Sequence, residues 1–280
     1  MAVTQLKEAI RQLQKTPVLW ISGIVAGMLA STLWVLFNTT GAFFTSRLLI
    51  IFSLILLFFI TGALAAIKSE SGDIRDMIRG AARSYFRVLL PLLVIIFFLG
   101  LVVILAFITL SFAGITPDPA VISFLTLALS IPVLIITMFF DTAAVFEERR
   151  VFDSIRRSIE IITTRLNEVI AFIVVACGIV AVALFGLMIL WEAFLYDKIE
   201  PLSRYSEAQI QAITPDQMIA LIGPQGVWVT AAVLFAAGLF LVPLLTSYKA
   251  CFYRSISGKT PAIMQETTGE YDSKGRWYKY

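Results

Sequence analysis

Six long stretches of this 280-residue sequence contain no Asp, Glu, Lys or Arg. An α-helix needs about 20 mainly apolar residues to cross the roughly 30 Å hydrocarbon core of a bilayer. Each stretch reaches that length, and none is long enough to hold two crossings and a turn. The sequence therefore predicts six transmembrane helices, at about residues 17–37, 48–67, 88–112, 120–141, 168–192 and 226–248.

Composition and the positions of these stretches together define the fold class. Hydrophobic residues make up 59% of the chain and charged residues 15%, against about 45–50% and about 25% in soluble domains. These values exclude a soluble enzyme, a nucleic-acid-binding protein and a disordered chain. We expect an all-α, polytopic six-helix transmembrane bundle of three hairpins, with a cytoplasmic amphipathic helix before each. The membrane domain is expected to cover residues 1–252, with an external loop at 193–225 and a cytoplasmic tail at 253–280.

The basic residues lie almost entirely on one side of this predicted topology. Of the 22 Lys and Arg residues, 19 fall in the N-terminus, the second and fourth loops and the tail. The positive-inside rule then places both termini in the cytoplasm of a multi-pass protein of the cell membrane. Contacts with anionic lipid headgroups explain the positive charge without a nucleic acid. A specific polyanionic ligand is the alternative.

The segments before spans one, three and five resemble one another. Each carries an Ile-Arg pair, at residues 10–11, 78–79 and 155–156, within a basic amphipathic pattern of helical period. Helices of this kind lie in the headgroup plane, although shared juxtamembrane composition explains the likeness as well. The candidate contacts for lipid or a protein partner are Arg75, Arg79, Arg83, Arg156, Arg157 and, in the tail, Trp277. The tail itself is expected to lie at the headgroups, to bind a partner or to be disordered.

The external loop contains two patterns that begin helices. Ser206–Gln209 and Thr214–Gln217 each fit a capping box, the second with Pro215 at the first helical position. Gly223-Pro224 is expected to end the second helix. We expect one or two short helices over the outer mouth of the bundle, either as a lid or as a passive surface element.

Small residues and prolines within the spans predict how the helices pack. Gly23 and Gly27 share one face of span one, at a spacing that lets two helices approach closely. The partner helix belongs either to the same chain or to a second copy. Pro91, Pro132 and Pro243 place one proline in each hairpin, where a kink serves packing or gating.

The sequence offers few groups for catalysis. It has no histidine, which removes imidazole-based metal sites, catalytic triads and proton relays. Its two cysteines are isolated, and it has no Walker or GxGxxG motif, so we expect no cofactor and no enzyme activity. A Ser or Asp nucleophile is the catalytic alternative that the sequence leaves. Asp141, at the end of span four, is either an interfacial carboxylate or faces the bundle interior and pairs with Arg156 or Arg157.

Residues 148–167 carry a more specific pattern. Glu148 is followed by Ile155-Arg156-Arg157-Ser158 and then by Asn167, just before span five. This arrangement resembles a prokaryotic family of six-span membrane proteins related to the membrane domain of glycerophosphoryl diester phosphodiesterases. The usual glycine after the acidic residue is absent, with Arg149-Arg150 in its place.

The resemblance implies a six-helix bundle with amphipathic elbows in a prokaryotic plasma membrane. It adds Ser158 and Asn167 to Asp141 as candidate buried polar residues. It implies no activity, because the phosphodiesterase chemistry belongs to a separate, histidine-dependent barrel.

These observations favour a non-catalytic integral membrane protein that acts as a scaffold, assembly factor or accessory subunit of a membrane complex. Its expected partners are anionic headgroups and a protein partner or a second copy of the chain. The alternative is a transporter or permease component for a lipid or a small uncharged solute, with the proline-containing hairpins as moving parts. A membrane-embedded enzyme is the third hypothesis.

Overall fold

The computed structural model describes residues 2–112, 114, 118–206, 212–258, 269–271 and 277–279. Within these residues the fold is all-α apart from one pair of three-residue strands. The α-helices are α1 (Ala2–Lys15), α2 (Trp20–Thr40), α3 (Ala42–Ser69), α4 (Ile74–Phe112), α5 (Pro119–Ile136), α6 (Phe140–Phe146), α7 (Val151–Thr164), α8 (Leu166–Phe194), α9 (Tyr196–Ile199) and α10 (Pro215–Ser257). Short 3₁₀ helices cover Pro17–Leu19 and Glu200–Arg204. In the tail, β1 (Gly269–Tyr271) pairs antiparallel with β2 (Trp277–Lys279).

Six helical segments are long and apolar enough to cross a membrane, which confirms the predicted fold class. They are Pro17–Thr40, Ala42–Ser69, Ile74–Phe112, Val121–Phe146, Leu166–Phe194 and Ile219–Ser257. The last of them extends five residues beyond 252, where the membrane domain was expected to end. Tyr253 and Ile256 are buried in the bundle, so the tail begins only after Ser257.

The second predicted elbow is not a separate helix. Helix α4 runs without a break for 39 residues, from Ile74 to Phe112. Residues 75–87 are rich in Arg and Ala, which favour helix, and they contain no proline, so the helix continues through Gly80 into the span. By contrast, α1 stops at Lys15 before Thr16-Pro17, because a residue that precedes proline disfavours the helical region.

Span four is interrupted. Helix α5 ends at Ile136 and α6 begins at Phe140, and the residues between them form a turn. The Thr137 hydroxyl donates to the carbonyl of Val133 at 2.7 Å, within its own chain segment. The interruption frees backbone groups that must find partners elsewhere in the protein.

The buried core lies at one end of the bundle. We call this the basic end: it comprises α1, the α3–α4 turn, α6, α7 and the last turns of α10. An aromatic cluster fills it, in which the Phe172 ring stacks on Phe252 at 4.6 Å and on Tyr248 at 4.7 Å. Toward the opposite end the helices are exposed: no side chain from 121 to 136 of α5 is buried, and α8 buries only Val169 and Phe172.

Helices α2 and α10 are in backbone contact through glycines. A Cβ added to Gly27 would lie 2.5 Å from the Phe235 carbonyl oxygen, and one added to Gly238 would lie 2.5 Å from the Gly27 nitrogen. Gly23 abuts Leu239 and Pro243 in the same way. The glycine pair of span one is therefore used within the chain, against span six.

Helix α10 begins as the sequence predicts. Thr214 and Gln217 form the capping box, with Pro215 at the first turn. At Gly223 the backbone leaves the helical region (φ 62°, ψ −167°), which glycine adopts readily, and the helix resumes beyond it. Most of the other predicted capping box lies outside the described residues.

Replacing Gly27 by leucine should disrupt the α2–α10 contact, because its side chain would overlap the Phe235 backbone and ring. We expect a loss of about 1–3 kcal/mol or more of stability, measured as a lower unfolding midpoint and yield in detergent. Gly178→Leu is the matched control, since nothing lies within 4 Å of a Cβ at that position. Equal midpoints for the two variants would contradict the assigned contact.

Candidate functional site

The interrupted end of span four is closed by a serine from α7. The Ser158 hydroxyl donates to the carbonyl of Ile136 at 2.9 Å and accepts from the amide of Phe139 at 3.0 Å. One side chain thus satisfies a backbone group on each side of the turn. Ser158 is fully buried, as predicted. Because an unsatisfied backbone group is costly in an apolar environment, this contact makes the interruption tolerable.

Asp141 is buried just after this turn, and its partner differs from the predicted one. Its carboxylate accepts from Nζ of Lys249 on α10 at 2.7 Å and from the amide of Thr142 at 2.7 Å. The prediction of a pair with Arg156 or Arg157 was wrong. Those two arginines lie on α7 and bind other carboxylates, whereas α10 brings Lys249 to the beginning of α6.

Glu147 joins three helices at the end of α6. Its carboxylate accepts from the Tyr253 hydroxyl at 2.6 Å, from Nε of Arg157 at 3.1 Å and from Nε of Arg149 at 3.1 Å. Arg157 also donates to Glu160 and to the carbonyl of Ser257. Elements α6, α7 and α10 therefore meet on one carboxylate.

The environment of Glu147 keeps it ionised. Partial burial by itself would raise the pKa of its carboxyl group, but the hydrogen bond from Tyr253 and the charge of Arg157 outweigh burial and lower that pKa below its ordinary value. Burial likewise acts to lower the pKa of Arg157, and the charge of Glu147 overcomes it and raises that pKa. The pair is thus charged at neutral pH.

Glu148 binds two helices that Glu147 does not contact. Its carboxylate accepts from Lys68 at 2.8 Å and from Arg87 at 3.1 Å, which belong to α3 and α4. These two hydrogen bonds lower the pKa of the Glu148 carboxyl group. The backbone of Glu148 is left-handed (φ 54°), so the two consecutive glutamates extend to different helices. Lys68 also donates to the carbonyl of Val145.

Arg254, which lies on α10, binds the C-terminal end of α3. Its guanidinium donates to the carbonyl of Ile67 at 2.6 Å and to that of Lys68, at the C-terminal end of α3. A cation at that position stabilises the free carbonyls and the negative end of the helix dipole. Arg254 also pairs with Glu70 and lies 5.4 Å from the centre of the Phe146 ring.

We call this set of contacts the charged junction; its residues are Lys68, Arg87, Asp141, Glu147, Glu148, Arg149, Arg157, Ser158, Lys249, Tyr253 and Arg254. Of the residues singled out from sequence, it contains Asp141, Glu148, Arg157 and Ser158. Sequence reasoning missed Glu147, Lys249 and Arg254. The signal that could have found them was the position of each charge within about two turns of a predicted span end.

The remaining predicted residues lie elsewhere. Arg75, Arg79, Arg83 and Arg156 are exposed, as a lipid or partner contact requires. Arg157 is buried instead: only 7% of the residue is exposed, and its guanidinium is bound inside the protein. Asn167 is exposed, so its predicted burial was wrong. Trp277 belongs to β2, and its side chain lies outside the described residues.

The junction chemistry is that of a structural clamp. Each of its three carboxylates accepts hydrogen bonds from cations on other helices, and its serine binds backbone groups. In the described part of the chain, no three His, Cys, Asp or Glu side chains are grouped so that they could hold a metal ion.

Six helices of membrane-spanning length, joined at one end by a charged junction, define this protein as a multi-pass α-helical membrane protein. Residues 1–256 match the family described as a domain of unknown function, DUF7847, and the chain belongs to that family. No curated protein and no solved structure matches the chain. The resemblance to the membrane domain of glycerophosphoryl diester phosphodiesterases stays a prediction.

Replacing Glu147 by glutamine should destabilise the protein, because Arg157 then stays buried without its main counter-charge. The free energy of unfolding should fall by an amount between two limits. These are the ~1 kcal/mol lost with an exposed ion pair and the roughly 3–5 kcal/mol lost when a fully buried pair is broken. Because the native pKa of Glu147 is lowered, its contribution is complete above the ordinary value of 4.5 and is lost as the pH falls through the native pKa.

Thermal unfolding in detergent at neutral pH and at decreasing pH measures both effects. Glu70→Gln is the matched control, since Glu70 pairs with Arg254 but its side chain is 77% exposed. The clamp assignment fails if the two variants unfold at the same temperature, or if Glu147→Gln has the same acid sensitivity as the wild type.

Proposed function

We propose that this protein is a non-catalytic integral membrane protein, a scaffold, assembly factor or accessory subunit of a membrane complex in a prokaryotic plasma membrane. The charged side chains of the charged junction bind one another and the backbone, which supports a role in holding helices rather than in chemistry. The observation that carries the proposal is the outer surface of α8.

Helix α8 leaves most of its surface open. Val182 and Met188 are exposed, and a Cβ at Gly178 or Gly186 would meet nothing within 4 Å. Gly178, Val182 and Gly186 follow one another at four-residue spacing and so share one face of the helix. Glycines on such a face let a second transmembrane helix approach closely. Gly23, Gly27 and Gly238 are already used in the contact between α2 and α10, whereas these two glycines meet no other helix.

Photo-crosslinking in native membranes tests this role. We expect a crosslinker at Val182 to give one discrete protein adduct, and Gly186→Leu to abolish it by blocking close approach without changing the unfolding temperature. The same crosslinker at Leu134, on the exposed side of α5, is the control and should give lipid adducts. Lipid adducts alone at Val182, with unchanged blue-native mobility after Gly186→Leu, would count against the scaffold role.

We infer in addition that the basic end faces the cytoplasm, as the positive-inside rule predicts. Engineered cysteines at Arg79, near the basic end, and at Lys198, beyond α8, separate the two orientations. In intact cells a membrane-impermeant maleimide should label Lys198→Cys and leave Arg79→Cys unlabelled until the cells are opened. The wild type gives the background from Cys177 and Cys251. The reverse pattern refutes the inferred orientation.

A transporter or permease component for a lipid or a small uncharged solute is the second candidate. One feature favours it: span four is interrupted between α5 and α6, and the main contacts of α5 are with α4 and α7 alone. Discontinuous helices line the substrate sites of many transporters. Substrate-dependent flux in liposomes that contain this protein alone would favour transport, whereas a requirement for the α8 partner would favour the scaffold.

A further inference from the structure

A cavity of about 760 Å³ opens at the basic end, outside the charged junction's ion-paired centre. It lies between α1, the α3–α4 turn and the end of α10. The charged groups around it are Lys7, Arg11, Lys15, Arg254, Glu8 and Glu70. We propose that this cavity binds a phosphate-bearing anion, held as the headgroup of an anionic phospholipid.

The basic groups of α1 are held in a fixed direction. Helix α1 buries Ala2, Gln5, Ala9 and Leu13 on one side, and its main contact there is α10. Lys7, Arg11 and Lys15 are spaced at four-residue intervals, so they form a stripe on a different face, along the cavity. Because the buried face is packed against α10, the stripe does not depend on a bilayer for its orientation.

The three cations of the stripe have no ion-pair partner in the part of the chain that the structure describes. Within the described residues, Lys7, Arg11 and Lys15 form no ion pair, whereas the cations of the charged junction are bound to carboxylates or carbonyls. Glu8 lines the cavity but pairs with none of the three, and Glu70 pairs with Arg254. Like charges at four-residue spacing destabilise a helix, so a bound anion relieves repulsion that the folded chain leaves in place.

The donor set fits a phosphate group. An arginine fork and two lysine ammonium groups bind phosphate oxygens through charge-assisted hydrogen bonds, and the hydroxyl-bearing residues Thr4 and Thr16 lie on the same wall. The volume is within the range of about 300–1,000 Å³ that is typical of small-molecule sites. Because Lys15 immediately precedes the first span, a headgroup can occupy the cavity while its acyl chains stay beside that span.

A second basic cavity serves as the comparison. It measures about 670 Å³ and is lined by Lys68, Arg79 and Arg83 together with Asp76 and Glu148. Here Lys68 binds Glu148 at 2.8 Å and Arg79 approaches Asp76 at 3.9 Å, so its walls are partly neutralised. Because two of its cations already have carboxylate partners, we assign the phosphate group to the first cavity and not to this one.

The test uses full-length protein in neutral detergent, with phosphatidylglycerol added and the unfolding midpoint measured against lipid concentration. The stripe variant combines Lys7→Gln, Arg11→Gln and Lys15→Gln. The control variant combines Arg47→Gln, Arg150→Gln and Lys198→Gln, three exposed cations that line neither cavity, so its net charge changes as much as that of the stripe variant. We expect the stripe variant to need at least tenfold more phosphatidylglycerol for the same stabilisation. The control variant should need less than threefold more, and phosphatidylcholine should have no effect.

Two further arms complete the design. Lys7→Arg with Lys15→Arg keeps the charge and should keep the response, and Arg11→Gln alone replaces the stripe variant if that does not fold. Glycerol 3-phosphate distinguishes a soluble phosphate from a lipid headgroup. Stabilisation by glycerol 3-phosphate equal to that by phosphatidylglycerol overturns the lipid assignment, and equal losses in the stripe and control variants overturn the site.

Discussion

The carboxylate of Glu147 is the contact on which the basic end depends. It binds Arg157 from α7 and Tyr253 from α10 at the point where α6 ends. Arg157 is buried, and a buried guanidinium is stable only where a counter-charge and hydrogen-bond acceptors surround it. The left-handed turn at Glu148 then directs the next carboxylate to α3 and α4. Two adjacent residues thereby hold both halves of the chain together.

The distribution of contacts follows from the physics of a lipid environment. Helices in lipid gain little from burying apolar surface, so close backbone packing and polar contacts decide which of them associate. Helices α2 and α10 associate through glycines, and the basic end through charges. Helix α8 takes a smaller part: at its basic end it buries Val169 and Phe172 and pairs Glu168 with Arg165, and farther along Trp191 donates a hydrogen bond to Thr230. Its exposed surface is therefore a consequence of where the specific contacts lie.

The sequence predicts what local rules control. The six spans follow from charge-free stretches, and the capping box at Thr214 follows from four residues. The partners of Asp141 and Glu147 do not follow from local sequence, because they depend on which helices become neighbours. Lys249 and Tyr253 are more than 100 positions away along the chain. The second elbow differs from the first for a local reason: residues 74–87 contain no proline, whereas Pro17 separates α1 from α2.

The unbroken course of α4 has a mechanical consequence. Its 39 residues form a rod of about 58 Å at the usual rise per residue, with Arg87 fixed to Glu148 partway along. The helix continues through Pro91, which removes one of its backbone hydrogen bonds. A tilt of about 5° at one end of a rod of this length moves the other end by about 5 Å. The charged part of α4, which carries Arg87, is therefore joined to its membrane-spanning part with no loop between them.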